Sequence, residues 1–344
     1  MYKLNYPVRR GHITDYDAIE ELWKQSFKQL GVETPQRHSI MLIKRYSGNE
    51  GLKEISQILF ENMNFGSMFI GIPAVCALWG TGKLNGMVCD IGAGYTHCAP
   101  VLDGNPLYGA VKYYDVAGLD IDRALLDLLD LSNHESYRAF EIEKMKKKVQ
   151  KRQKFNIFGF VLNAMNVTRT LTTIKHSACF VSTNKLQDFK KLKSNKNQQF
   201  FKLPDGTKIQ MSNGEKFYAP EVLFNPEMLG NDMHKNGLQG VLHESFQKCG
   251  HDSRKLLYEN VVLTGGSSRL RGLDERLKME LEKLYRPSSS LPAISVKTEW
   301  GVNLPWIGAS AIAALSTYDK MVVTKQDFEE HGFRVLGKRF LNGK

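Results

Sequence analysis

The sequence predicts an α/β protein, and three stretches carry the prediction. Ser39–Lys44 (SIMLIK) and Met68–Ile72 are short buried strands separated by a helix whose inner face is Leu52, Ile55, Ile58 and Leu59. Met87–Asp90 and Thr96–Leu102 are apolar runs joined by a turn that carries Gly92 and Gly94, which reads as a hairpin. Val261–Thr264 runs directly into Gly265-Gly266 and then into a helix with Leu273, Leu277, Leu281 and Leu284 on one face. At 344 residues the chain can bury a substantial core and is expected to divide into two domains.

The remaining elements follow in order. Pro7 biases Tyr6 away from helix, and Thr14 or Asp17 is expected to cap a first helix, with Glu20 completing a capping box after Asp17. Ile19, Leu22, Trp23, Phe27 and Leu30 then recur at helical spacing and Gly31 stops the helix. Ala74–Trp79 reads as a short helix closed by Gly80-Thr-Gly82. After the hairpin, Asp103-Gly-Asn-Pro106 turns the chain into a third strand over Leu107–Tyr113, making a meander. Val116–Leu131 is an amphipathic helix beginning near Gly118, Ser132–Asn166 is charged and irregular, and Met165–Ser182 recovers apolar periodicity. Pro204-Asp-Gly206 and Ser212-Asn-Gly214 bracket a short hairpin. His251–Asn260 reads as helix, Ala293–Lys297 as strand, Pro305–Leu315 as a small-residue helix suited to close packing, and Thr324–Glu330 as a capped helix ended by Gly332.

Composition narrows the function classes. Hydrophobic residues make up 42% and charged residues 24% of the chain, ordinary for a soluble globular protein. No stretch has the length of a membrane-spanning helix, and Met1–Arg10 lacks the apolar core of a secretion signal, so cytosol or nucleus is the expected location. Cys76, Cys89, Cys98, Cys179 and Cys249 sit mostly in apolar runs, as buried free thiols would, and no Cys-x-x-Cys or His-x-x-x-His pair suggests a metal centre. The formal net charge of +11 concentrates in Lys144–Lys154 and Lys185–Lys202, where aromatic residues able to stack on bases are sparse. That distribution favours a solvated basic helix and loop over a nucleic-acid reading surface. A basic helix over Glu141–Lys154 that recruits an acidic partner is the functional alternative. Asp90-x-Gly92-x-Gly94 can expose backbone N–H groups to phosphate, and Gly265-Gly266 is a second place where backbone can approach a ligand closely.

Together these stretches resemble actin and the actin-related proteins over most of the chain. The resemblance is carried by Asn5-Tyr-Pro-Val-Arg-Arg-Gly11, Ile70-Gly-Ile-Pro-Ala-Val75, Asp90-Ile-Gly-Ala-Gly-Tyr-Thr-His97, Asp115-Val-Ala-Gly-Leu-Asp120, Leu203-Pro-Asp-Gly206, Val261-Val-Leu-Thr-Gly-Gly266, Trp306-Ile-Gly-Ala-Ser310 and Met321-Val-Val-Thr-Lys325. It implies the fold of the actin, chaperone and sugar-kinase ATPase superfamily, with two α/β lobes around a nucleotide cleft. Residues 1–80 and 304–344 would form an incomplete subdomain 1. Residues 81–116 and 231–303 would form subdomain 3, and 117–230 the outer small subdomain 4 with a basic insertion around 132–166. By the same resemblance Asp90, Gly92, Gly94, Tyr95 and Thr96 fall on the second phosphate loop, Gly265 and Gly266 beside the adenosine, and Gly118 and Lys175 near base and ribose.

Departures from the actin pattern weaken the implied chemistry. The chain starts after the strand pair that holds the first phosphate loop and a metal-associated aspartate, and lacks the outer small subdomain that follows it, so an N-terminally truncated fold is expected. Pro73 stands where actin has the glutamine that orients the attacking water, and Ala93 where it has a metal-associated aspartate. His97, which in actin helps to organise that water, is retained. Leu270 replaces the aromatic residue near the adenine, Val302 a basic residue near the base, and His176 an acidic ribose contact. Hydrolysis of a phosphoanhydride needs a positioned water, a charge-neutralising cation and a phosphate clamp. Parts of all three are altered, so ATP hydrolysis is expected to be lost or negligible, and ATP or ADP with Mg2+ to bind weakly and without being required.

The resemblance then implies a divergent actin-related protein acting as a structural or scaffold subunit of a cytoskeletal or motor-associated assembly. Its expected partners are other proteins of that assembly, actin or actin-related proteins among them, with no membrane and no direct nucleic-acid contact. A nuclear subunit of a chromatin-remodelling complex is the alternative that the basic balance suggests, and an ATP-binding polymerising protein ranks behind it.

Overall fold

A computed structural model describes residues 6–45, 50–129, 169–183, 199–202, 206, 208–229, 236–285, 293–298 and 301–340. The predicted basic helix around 141–154 and the irregular segment 132–166 lie outside the described residues. Two sheets organise the molecule. The smaller is β13–β4–β3, built from Val323–Thr324, Ser67–Gly71 and Ser39–Ile43, with β3 parallel and β13 antiparallel to β4. The larger is β12–β11–β5–β6–β7, made from Val296–Lys297, Val261–Thr264, Gly86–Ile91, Thr96–Leu102 and Asn105–Pro106, with β8 (Lys112–Tyr114) also on β6. Two hairpins stand apart: β1–β2 (Val8–Arg9 with His12–Ile13) and β9–β10 (Gln199–Lys202 with Lys208–Met211).

Each sheet has its own core. Ile55, Ile58, Leu59 and Phe60, on α2 (Leu52–Ser56) and the π-helical turn that continues it over Gln57–Asn62, pack with Met68 of the smaller sheet. The larger sheet buries Met87, Cys89, Ile91, Val261 and Leu263 against α4 (Gly118–Leu128), α6 (Gly237–Gln247), α7 (His251–Tyr258) and α8 (Leu273–Leu284). Central parallel strands buried on both faces require this unbroken apolar character. A pair of helices joins the sheets: α3 (Pro73–Gly80) presses Ala74, Ala77 and Leu78 onto Val88, Ala99 and Val101 of the larger sheet. Its Cys76 meets Ala309 and Ile312 of α9 (Leu304–Ala313), which pack with Met41 and Phe69 of the smaller sheet. The two helices approach so closely that a Cβ at Gly308 would lie 1.6 Å from the Cys76 carbonyl oxygen. All five cysteines are buried and free. Among the described residues no helix is long and apolar enough to cross a membrane.

Several local expectations need correcting. Helix α1 (Tyr16–Gln29) is capped by Asp15, whose carboxylate accepts from Ala18 N–H at 2.9 Å, instead of by Thr14 or Asp17. Asp17 lies inside the first turn and Glu20 pairs with Lys24 at 2.7 Å. The buried stripe of α1 is Ile19, Trp23 and Phe27, one residue per turn, so Leu22 and Leu30 stay 52% and 75% exposed. The predicted strand Leu107–Tyr113 is broken by a 3-10 turn over Tyr108–Ala110, where Ala110 N–H folds back on the Leu107 carbonyl. Strands β9 and β10 flank Pro204–Gly206, but Ser212-Asn-Gly214 opens helix α5 (Asn213–Tyr218) instead of a second turn, because the Glu215 carboxylate accepts from Ser212 N–H. The double glycine leads first into a 3-10 turn, Gly266–Arg269, and α8 begins only at Leu273, with Leu284 half exposed. Strand β12 is limited to Val296–Lys297. Thr324 caps α10 (Lys325–His331) reciprocally with Asp327, and Gly332 ends it before α11 (Arg334–Phe340).

Candidate functional site

The loop between β5 and β6 is a two-residue turn, Ala93-Gly94, closed by Gly92 N–H on the Tyr95 carbonyl at 3.1 Å. The reverse bond of a tight hairpin is replaced: the Gly92 carbonyl accepts instead from Gly118 N–H at 3.0 Å and from Ser267 Oγ at 3.2 Å. Leu119 N–H meets the Ala93 carbonyl at 2.7 Å, and Thr96 Oγ1 donates to the Val116 carbonyl at 2.9 Å. These bonds bring Gly92, Gly94, Thr96, Gly118 and the Gly265-Gly266 turn into one cluster. Among the described residues the N–H groups of Ala93, Gly94 and Tyr95 have no protein acceptor, and Ala93 is exposed.

The glycines are there for close packing. Gly265 has φ +87°, and a Cβ would sit 2.4 Å from Asp90 Oδ1 and 2.5 Å from the Ile91 carbonyl. At Gly118 a Cβ would meet Ser267 Oγ at 2.6 Å. Of the glycines in this cluster, Gly266 alone would place a Cβ with nothing within 4 Å. Lys175 points inward: its ammonium donates to the Gly118 carbonyl and to Asp122 Oδ2, both at 2.9 Å, and its side chain is 4% exposed. Leu270 is buried in the larger core, while His176 and Val302 are exposed.

The β1–β2 hairpin seals one side of the loop. Its turn, Arg10-Gly11, has φ +46° and +79°, the mirror-image turn that matches strand twist. From there Arg10 donates to the Gly94 carbonyl at 3.0 Å, to the Asp115 carbonyl, and to Asp120 Oδ1 and Oδ2 at 3.0 and 3.3 Å. Arg45 accompanies it, donating to the Arg10 carbonyl at 3.1 Å and lying over the Tyr113 and Tyr95 rings at 3.9 and 4.8 Å.

Asp90 and His97 sit behind this seal, 4.0 Å apart, beyond hydrogen-bond reach. Burial pushes the Asp90 carboxyl above the usual carboxylate range, with the nearby His97 opposing. Burial also lowers the His97 imidazole, so the ring is neutral, and its Nδ1 has no partner among the described residues. Beside His97 is a cavity of about 10 Å3, lined by Ile72, Pro73, Ala99, Val111 and Tyr113 among others, the room of roughly one water. The described residues hold no cluster of three or more His, Cys, Asp or Glu side chains suited to a cation.

The N–H groups of Ala93, Gly94 and Tyr95 are the backbone donors left without a protein acceptor at the loop, whereas Ala93 offers no ligand atom to a chelated cation and Asp90 is turned towards Gly265. The structure thus brings together every predicted site residue, but Lys175, Gly118 and Gly265 are engaged with the protein's own groups. Reasoning from the sequence missed Arg10, Arg45, Asp120, Asp122 and Ser267. An Arg-Gly pair in a two-residue turn and two aspartates two residues apart in an apolar helix were signals for three of them. The family model described as Actin matches residues 1–341. With that match, the mixed α/β architecture and the glycine cluster between β5, β11 and α4 have a common explanation: the chain belongs to the actin family.

Proposed function

We propose that this chain is a non-catalytic, structural member of its family, a scaffold subunit of a cytoskeletal or motor-associated assembly, in which the glycine cluster ties elements together instead of turning over nucleotide. The reading rests on Pro73. It walls the small cavity beside His97, where a carboxamide would be needed to orient a water, and a proline ring has no polar side-chain atom to do so. His97 alone cannot position a nucleophile, and Ala93 leaves a cation without a carboxylate at the loop. Arg10 supports the same reading, because its guanidinium is committed to Gly94, Asp115 and Asp120. A nucleotide held loosely through the three free N–H groups is compatible with this role.

The test is phosphate release from MgATP by the purified full chain, alone and with Asp90→Ala. The expected result is no release above a blank in either protein. Release that Asp90→Ala abolishes would overturn the proposal. Long filaments formed by the purified chain alone would overturn the scaffold role, because a self-polymerising protein needs no other subunits.

A further inference from the structure

Of the eleven prolines in the chain, Pro35 alone follows a serine or threonine. The stretch reads Glu33-Thr-Pro-Gln-Arg-His38, a hydroxyl followed at once by a proline and three positions on by an arginine. It belongs to the connection between α1 and β3, where Glu33, Thr34, Gln36, Arg37 and His38 are all exposed.

The Thr34 hydroxyl has no structural task. A threonine at the head of a helical turn ordinarily accepts a backbone N–H through its Oγ1. Thr34 stands at that place before the 3-10 turn Pro35–Arg37, yet its side chain caps nothing, and its carbonyl takes the Arg37 N–H at 3.0 Å instead. In the glycine cluster the hydroxyls are spent: Thr96 donates to the Val116 carbonyl, Ser267 to that of Gly92 and Ser268 to that of Gly265. Arg37 is uncommitted too, with no ion pair among the described residues.

The backbone can deliver this hydroxyl to an enzyme, which needs the acceptor and the residues after it extended. Pro35 biases Thr34 away from the helical region, and it lies at φ −122° and ψ 71°. The turn that follows is closed by two bonds, Arg37 N–H on the Thr34 carbonyl and His38 N–H on the Pro35 carbonyl at 2.9 Å. Gly66 N–H is shared between the Pro35 and His38 carbonyls, each at 3.2 Å, so it keeps an acceptor when Pro35 swings out. No bond of the β3–β4 ladder is lost, which makes the opening local.

We propose that Thr34 is a phosphorylation site, the acceptor for a proline-directed serine/threonine kinase that reads a cation three positions on. Proline offers no N–H, so such an enzyme seats its ring in an apolar pocket, and Arg37 supplies the charge for an anionic site beyond. As Thr34 Oγ1 bonds the γ-phosphorus of MgATP, its proton passes to the kinase's catalytic carboxylate, the bond to the bridging oxygen breaks and ADP leaves. The product carries close to two added negative charges on a connection where Glu33 is the only acidic residue between Gly31 and Lys44. A surface of mixed charge becomes strongly anionic. The inference goes beyond the scaffold reading and does not depend on it, because the nucleotide belongs to the kinase.

The test incubates the folded full chain with MgATP and a purified proline-directed kinase of that preference, followed by intact mass and peptide mapping. One phosphoryl group should be added, on Thr34. Thr34→Val should abolish the addition and Thr34→Ser should keep it, both at an unchanged melting temperature because the hydroxyl bonds nothing. Pro35→Ala should abolish it, and Arg37→Ala should lower kcat/KM about tenfold. A synthetic peptide of residues 30–41 controls for the opening of the turn. Phosphorylation of the peptide but not of the folded chain would mean that the turn is locked, and would overturn the inference. So would incorporation that survives Thr34→Val, rates indifferent to Pro35→Ala or Arg37→Ala, or no incorporation into chain or peptide. Phosphate release by the chain without kinase is scored separately, so the non-catalytic reading can fail without imitating a failure at Thr34.

Discussion

Arg10, in the β1–β2 turn, grips Asp120 at the start of α4 through two hydrogen bonds of 3.0 and 3.3 Å, closing a span of 110 residues. The same carboxylate accepts from Ala117 N–H at 2.9 Å, so one aspartate caps a helix and anchors a hairpin. Arg10 is 45% exposed and Asp120 9%, which places the pair between a surface ion pair and a buried one. Arg10→Ala should cost about 1–2 kcal/mol in urea unfolding. Asp120→Ala should cost more, because it also leaves the Ala117 N–H without its acceptor. A double-mutant cycle giving no coupling between the two would show that the contact contributes nothing.

Lys175 and Asp122 form a pair of another kind, with side chains 4% and 6% exposed and Thr172 Oγ1 adding a bond to the carboxylate at 3.1 Å. Lys175→Met strands a buried carboxylate and should destabilise by about 3–5 kcal/mol. Adding Asp122→Leu should recover much of that loss, since a matched apolar pair carries no desolvation penalty. The comparison of the single and double variants in denaturant unfolding checks this.

Gly308 should be the least replaceable residue of α9. A Cβ there would sit 1.6 Å from the Cys76 carbonyl and 2.7 Å from Gly80 N, backbone atoms that can move only if the helices separate. Gly308→Ala should therefore lower the melting temperature sharply. Gly337→Ala, in a helix with nothing within 4 Å of the added methyl, should leave it unchanged or raise it slightly.

The pH dependence has a definite sign. The folded chain binds a proton at His97 less readily than the ordinary value of 6.5, so the unfolded chain takes up more protons as pH falls through that value. Stability from this group is complete above about pH 6.5 and declines as pH drops towards the folded value. The melting temperature should fall between pH 7 and 5.5, and His97→Gln should flatten that part of the curve. The residual slope belongs to His176 and His243, lowered by the partial desolvation of their rings and by the neighbouring cations Lys175 and Arg254 respectively. Asp90 acts in the opposite direction. Its raised value makes ionisation costly once pH exceeds 3.8, so Asp90→Asn should stabilise the chain at neutral pH.

What could be read from residues alone follows the range of the forces involved. Strands β3, β4, β5, β6 and β11 and the inner faces of α2 and α8 were legible because buried apolar runs report their own burial. Gly92 and Gly94 were legible as a turn and Gly265 as a place of close approach, whereas Gly266, read the same way, meets nothing within 4 Å. What the glycines approach was not legible, since Gly118 meets Ser267 across 149 positions and Gly265 meets Asp90 across 175. The cap of α1 was misplaced by one or two residues because Thr14, Asp15 and Asp17 are all competent acceptors, and only geometry selects Asp15. The exposure of Leu22 and Leu30 depended on how wide a stripe the smaller sheet covers. The break in the strand after Pro106 depended on a 3-10 turn with little periodic signature. Arg10 and Arg45 escaped notice because a guanidinium that bridges elements distant in sequence looks, residue by residue, like any surface cation.

The five buried thiols give the chain a built-in reporter. Burial pushes Cys76 and Cys179 up to about 12 and Cys249 up to about 11, and raises Cys98 as well, so these four present almost no thiolate, and all five sulfurs are buried away from reagent. Alkylating reagents can then modify the chain only as fast as it opens, and the order in which the cysteines are labelled records the order in which its regions come apart. Cys76 times the separation of α3 from α9, Cys89 and Cys98 the opening of the larger sheet, and Cys249 the loss of α6. A single cysteine placed at exposed Leu30 would be labelled at once, giving a fluorescent handle on the folded protein without disturbing that clock.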